Sequence, residues 1–276
     1  LLASSSELNG TARFMAVGGA LGALGGDATT IFYNPAGIGI YRSSELTISG
    51  NVHWDNTTMS NGYSSHPTYS TKTNVDLQNV AYVGTWVFEE NKNLLNFNLG
   101  IAYNDESIPW SSIIGFDSYL TDLKYNHKDN VYTSLYDWSG RGSVGQYMRF
   151  EEYGSANDFA LSFAGNFNNL IYWGMTFECD YATYGKNTTL QESFADGSVY
   201  TLHNTYGFES VGFTYKIGLI VKPTSWLRIG GAFHTPTVYA IDDFSSSNCD
   251  FDVYDISGNH QRGFTQTPSS VGTTHL

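Results

Sequence analysis

Charge is what this sequence has least of. Asp, Glu, Lys and Arg make up 14% of its 276 residues, against about 25% in soluble domains. A water-facing surface needs charge, so an exterior this poor in it must be covered in some other way. Long apolar runs are missing too. The longest strongly apolar stretch, 14–25, is too short and too rich in Gly to be a membrane-spanning helix of ~20 residues. A membrane life for this chain therefore means crossing with strands. Cysteine is confined to Cys179 and Cys249, far apart and without CxxC spacing, which suggests neither a disulfide framework nor a metal site. Lys and Arg number 13 against 26 acidic residues, for a net charge of −13. Such few and scattered cations argue against a nucleic-acid partner. No cleavable leader is visible at Leu1, because Arg13 and the apolar run after it lead into Asp27 and then 31–35 where a cleavage site should lie. The leader is expected to be already removed.

What is present is Gly (29), Tyr (20), Phe (17) and two-residue periodicity. Leu46, Ile48, Val52 and Trp54 alternate with polar neighbours, as do Val80, Tyr82, Trp86 and Phe88. The pattern is cleanest at Leu95, Phe97, Leu99, Ile101 and Tyr103. It recurs over 158–167, over 171–181 and over 211–222, and less regularly from Trp226 to Tyr239. Alternation marks strands with one apolar face, and about seven are expected. A soluble sandwich would alternate as well. Here, however, the polar phase is mostly Gly, Ala, Ser, Thr and Asn rather than Lys and Glu. The apolar phase also ends in Trp or Tyr at Trp54, Tyr82, Trp86, Tyr103 and Tyr181, as an interfacial aromatic girdle does.

The connections expected between these strands alternate long and short: 55–74, 89–93, 105–157, 168–169, 182–209 and 223–225, followed by a long polar tail. Outer-membrane barrels combine short periplasmic turns with long outer loops. The expected fold is therefore all-β, an antiparallel outer-membrane barrel wall over 43–276, preceded by a small helical plug over 1–42. About seven strands are too few and odd in number for a closed barrel, so the chain is expected to be part of one.

Residues 1–42 do not alternate. Their Gly-rich run 18–26 has G-x-x-G-x-x-G spacing, no strand before it and no Lys-Ser/Thr after it, so it fails as a phosphate loop. After it come Gly25-Gly26-Asp27-Ala28-Thr29 and Phe32-Tyr33-Asn34-Pro35-Ala36-Gly37. This run resembles the luminal hatch of the FadL-type family of long-chain fatty-acid and hydrophobic-compound transporters. A second stretch, 215–230 with Lys222-Pro223-Thr224-Ser225-Trp226, is similar to the family's late hairpin. The loop composition is in the style of a Bacteroidetes-like member. Together the two stretches cover about a quarter of the chain, and family barrels have about fourteen strands.

The resemblance implies passive transport of an apolar small molecule across the bacterial outer membrane by an integral, monomeric barrel. The ligand would be captured at outer loops, pass an apolar luminal pocket and leave through the wall. Lipid or lipopolysaccharide would surround the barrel. On that basis Phe14, Met15, Leu21, Leu24, Ile31 and Phe32 are candidates to touch ligand, although packing explains most of them. Asn34, Pro35, Ala36 and Gly37 form the hatch motif, with Asn34 expected to hold the plug: Pro35 restricts it to extended geometry and its side chain can bond nearby backbone. Gly100, beside Asn98, lies on the inward phase of the third strand, where it either makes room for the plug or marks a lateral gate. Ile108, Trp110 and Phe116 form either an outer capture groove or loop packing.

No cofactor or metal is expected. The acidic run Asp242, Asp243, Asp250, Asp252 and Asp255 fits no calcium-loop pattern and reads as a solvated loop. His53 and His234 have no Ser at a suggestive spacing, so catalysis is not expected. The rival functions are a barrel that shuttles secreted proteins to the cell surface and a purely structural barrel.

Overall fold

The computed structural model describes residues 9–59, 68–89, 93–106, 112–113, 143–254, 257–267 and 269–275. It is an all-β chain behind a short helical start. Helix α1 (Ala12–Ala16), helix α2 (Thr30–Tyr33) and a 3-10 helix (Pro35–Ile40) come first. The strands are β1 (Glu45–Met59), β2 (Thr68–Val87), β3 (Leu94–Glu106), β4 (Ser112–Ile113), β5 (Ser143–Phe167) and β6 (Ile171–Phe194). They continue with β7 (Val199–Val221), β8 (Ile229–His234), β9 (Val238–Tyr254), β10 (His260–Gln266) and β11 (Ser270–His275). All join one 11-stranded sheet with the order β1-β2-β3-β5-β6-β7-β9-β10, in which β4 pairs with β5, β8 with β7 and β11 with β9. Every pairing is antiparallel. Among the described residues the sheet is open, with β1 at one edge and β10 and β11 at the other.

Six of the strands expected from alternation are present, the seventh (226–239) is divided between β8 and the start of β9, and several run much further. The stretch 182–209, expected as a loop, is the outer half of the β6–β7 hairpin, paired from Thr183↔Glu209 to Ser193↔Val199. The end of the expected loop 105–157 is likewise strand, because β5 begins at Ser143. The expected polar tail is the β9–β10 hairpin with β11 beyond it, and Asp242, Asp243, Asp250 and Asp252 sit on β9 rather than in a loop. The physical reason is visible in the outward phase. On β6 it reads Trp173, Met175, Phe177, Cys179 and Tyr181, then Thr183, Gly185, Asn187, Thr189 and Gln191. On β7 it reads Leu219, Ile217, Tyr215, Phe213 and Val211, then Glu209, Gly207, Thr205 and His203. Apolar alternation stops at this level while the backbone ladder continues. Hydrogen bonding between strands needs no particular side chain, so pattern reading loses them there.

The two faces are inverted relative to a soluble sheet. Large apolar side chains point outward: Ile101 is 56% exposed, Phe177 53% and Phe213 63%. Small and polar residues on the other phase are buried, among them Asn98, Ala164, Thr176 and Ser162. What covers them is the N-terminal segment. Thr176 Oγ1 donates to Ile31 O at 3.0 Å, Lys216 Nζ to Phe32 O at 2.8 Å and His234 Nε2 to Tyr33 O at 2.8 Å. Ile31 also packs where Gly100 has no side chain. These partners lie on β3, β6, β7 and β8, so residues from four strands converge on the short segment 31–33, which is seated on the small-residue face of the sheet.

Candidate functional site

Among the described residues, the small-residue face and the segment seated on it are where most of the expected functional residues meet. The segment is organised first by Asp27, which is buried. Its carboxylate accepts from Thr11 Oγ1 at 2.9 Å and from the Thr29 N–H at 2.9 Å, while the Thr11 N–H reaches Thr29 Oγ1 at 2.8 Å. These bonds tie α1 to the turn before α2. Asp27→Ala removes a charged acceptor from both donors at once. Its expected cost is about 2–4 kcal/mol, read as a lower denaturant midpoint and faster proteolysis within 9–42.

Asn34 then starts the 3-10 helix. Its backbone is extended, its Oδ1 accepts from the Ala36 N–H at 3.2 Å and its Nδ2 donates to Gly22 O at 2.6 Å. Pro35 follows at the first helical position, where its missing N–H costs nothing. Asn34, Pro35, Ala36 and Gly37 are all buried. The motif thus sets the path of the segment across the sheet, and the sheet makes way for it. A Cβ on Gly174 would lie 2.3 Å from the Pro35 carbonyl carbon, and one on Gly218 would lie 2.0 Å from Asn34 Oδ1. Gly174 and Gly218 are cross-strand partners, so together they make a floor without side chains under the Asn-Pro turn.

Asn96 and Asn98 secure the far end of the segment. Asn96 Nδ2 donates to Gly39 O at 3.0 Å and to Tyr41 O at 2.9 Å, and Asn98 Nδ2 donates to Ile38 O. Gly100 faces Ile31 and Ile38, and β3 keeps continuous register through it on both sides, Val83↔Gly100 and Gly100↔Ser162. Burial raises the Tyr41 phenol well above its ordinary range, and the Glu45 carboxylate beside it pushes the same way.

The six apolar candidates fall into two groups. Phe14, Leu21, Ile31 and Phe32 are buried, with Phe14 stacked on Tyr33 at 4.6 Å between ring centroids. Met15 and Leu24 are exposed, as is Val17 between them in sequence. Ile108, Trp110 and Phe116 lie outside the described residues. Ile38, Thr176 and Lys216 were not singled out by sequence. Lys216 carried a signal even so, as a cation in a phase otherwise built of small residues.

Lys216 also forms a buried ion pair, with Nζ at 2.7 Å and 2.5 Å from the two oxygens of Glu178. The pair sits diagonally across β6 and β7, since Glu178 registers with Thr214 and Lys216 with Thr176. No helix among the described residues is long and apolar enough to cross a membrane, a fact that does not bear on strands. Comparison of the chain with protein-family models, with curated proteins and with solved structures finds no match.

Proposed function

We propose that the chain is wall and hatch of an outer-membrane β-barrel that passes hydrophobic small molecules, of the long-chain fatty-acid kind, without an energy source. The observation that carries the membrane reading is a switch of the outward phase at nearly one level on three adjacent strands. On β6 and β7 it is apolar up to the paired residues Tyr181 and Val211, and on β5 up to Phe159, one step earlier because Asn157 pairs with Tyr181; beyond, it is mostly polar, with Tyr153 on β5 an exposed exception. Trp173 and Tyr181 bracket that band on β6. Counting both ends, Trp173 to Tyr181 is nine residues, within the ~9–11 that a tilted strand needs to cross a bilayer. Trp86 stands near Trp173 at the short-turn end, while Tyr82 falls mid-band beside Ile101 and so belongs to no girdle.

Two features support passage of an apolar molecule. The hatch-like run 25–37 resembles that of FadL-type transporters, and Met15, Val17 and Leu24 leave apolar surface open on the segment. A conduit for hydrocarbon needs such surface and no aqueous channel. A second reading, a barrel that shuttles secreted proteins to the surface, is favoured by the length of β5, β6 and β7. At 25, 24 and 23 residues they far exceed the ~9–11 that cross a bilayer and project a polar sheet beyond it. Uptake of labelled long-chain fatty acid by a deletion strain separates the two. The transport reading expects uptake to fall and to return on complementation, with surface proteins unchanged; normal uptake with lost surface proteins contradicts it.

A further inference from the structure

Beyond the apolar band, the outward face of the sheet carries one row that breaks the polar pattern. Tyr153, Gly185, Gly207 and Phe244 are consecutive cross-strand partners on β5, β6, β7 and β9. The row lies four residues past Tyr181 on β6, about 13 Å further along the strand. Both aromatic residues are exposed, Tyr153 at 40% and Phe244 at 39%, while both glycines are buried. The rings cover them. A Cβ on Gly185 would stand 2.4 Å from Tyr153 Cζ, and one on Gly207 would stand 2.4 Å from Phe244 Cζ. Each ring therefore lies over bare backbone, and the two lean in from opposite sides onto strands ~4.8 Å apart.

Ring cover for a cross-strand glycine is a stabilising device in its own right, and Trp173 over Gly165 is an instance within the apolar band. The upper pair differs in its surroundings. The next outward row towards the band is Ser155, Thr183, Glu209 and Asp242, and the next row away from it is Glu151, Asn187, Thr205 and Ser246. A strip of ring face one residue deep thus runs between two rows of hydroxyl, amide and carboxylate groups. An apolar patch with a polar rim marks a binding surface, and this one has the chemistry of a sugar. A pyranose offers weakly positive C–H groups on its ring face, which pack on the negative face of an aromatic ring. Its edge carries hydroxyls, which carboxylates, amides and other hydroxyls bind. A lipid chain gains nothing from the rim. Two rings also fall far short of the ~800 Å² that a stable protein partner covers.

We infer that Tyr153 and Phe244 form a carbohydrate-binding platform for the core oligosaccharide of lipopolysaccharide. The strip faces away from the segment 9–42, so it is no part of a path past the hatch. In the outer-membrane reading it stands just above the hydrocarbon and looks sideways, where the sugars attached to outer-leaflet lipid lie. The source of the sugar rests on that reading, whereas the stacking chemistry does not.

The test is saturation-transfer NMR on the full chain in detergent. The probe is core oligosaccharide cleaved from lipopolysaccharide by mild acid, and dextran oligomers serve as the free-glycan comparison. Saturable transfer to the ring protons of the core oligosaccharide is expected, with dextran bound at least ten-fold more weakly. Tyr153→Leu combined with Phe244→Leu keeps apolar cover over both glycines but removes the flat faces, and should weaken binding at least ten-fold. Tyr206→Leu, at an exposed tyrosine on the opposite face of the sheet, should leave it unchanged. Carbene footprinting of the wild type should show Tyr153 and Phe244 protected by the oligosaccharide, a readout that does not depend on how the variants fold. Absence of saturable binding, absence of protection at the two rings, or equal affinity in the double leucine variant overturns the platform. Equal affinity for dextran overturns lipopolysaccharide as its source. Binding by a chain whose apolar face proves to lie outside lipid would refute the membrane reading, and with it that source, while keeping the sugar site.

Discussion

Gly174→Val is expected to lift the N-terminal segment off the sheet. The new Cβ would stand 2.3 Å from Pro35 C, 2.4 Å from Pro35 O and 2.6 Å from Ala36 N, all backbone atoms. A flexible side chain can swing away from such an intrusion, whereas a buried 3-10 helix must move as a unit. Overpacking of this kind costs about 1–3 kcal/mol when side chains can adjust, and about 3 kcal/mol or more is expected here. The strand itself should tolerate the change, since Val suits β structure. The effect therefore divides the molecule: protease should cut within 9–42 while the ladder of β5, β6 and β7 keeps its protection. Under the proposed function, in which this segment is the hatch of an outer-membrane barrel, its displacement should also let cells take up large antibiotics that the membrane otherwise excludes. Gly231→Val, at a glycine with open space around it, is the matched control and should do neither.

The second large effect is at Lys216. Lys216→Met keeps the length of the side chain but strips Glu178 of the ammonium paired with it and Phe32 O of its donor. Breaking a buried pair from one side costs about 3–5 kcal/mol, because the surviving charge stays buried and unpaired. Removing both charges, as in Lys216→Met with Glu178→Leu, should recover most of that loss. The measurement is urea unfolding in detergent or lipid, run as a double-mutant cycle. A single mutant as stable as the wild type would mean that the pair contributes nothing to docking of the segment.

Much of this architecture was readable in the residues. Leu95 to Tyr103 alternates cleanly enough to fix both the strand and the phase that faces outward, and the same holds for 171–181 and 211–221. Residues 1–42 were set apart by their lack of alternation, and the extended backbone of Asn34 before Pro35 followed from local sterics. What was lost had a common cause. Thr183 to Phe194 carries no apolar phase, so nothing in its composition announces that it is paired. The row of Tyr153, Gly185, Gly207 and Phe244 depends on register between strands joined by connections of unknown geometry. No spacing along the chain encodes it. Gly100 could have served packing or a gate, and only its distance to Ile31 and Ile38 shows what fills the space beside it.

The central claim is that the outward face of this sheet lies in hydrocarbon up to the level of Tyr181 and in water beyond it. Spin labels placed one at a time at Phe177, Phe213, Thr189 and Gln191, with Cys179 and Cys249 replaced, test it in reconstituted bilayers. Collision with dissolved oxygen, which concentrates in lipid, is compared with collision with a water-soluble nickel chelate. The expected result is oxygen-dominated relaxation at Phe177 and Phe213 and chelate-dominated relaxation at Thr189 and Gln191. Equal access of the chelate to all of them would contradict the membrane reading and leave an open sheet whose apolar face meets something other than lipid.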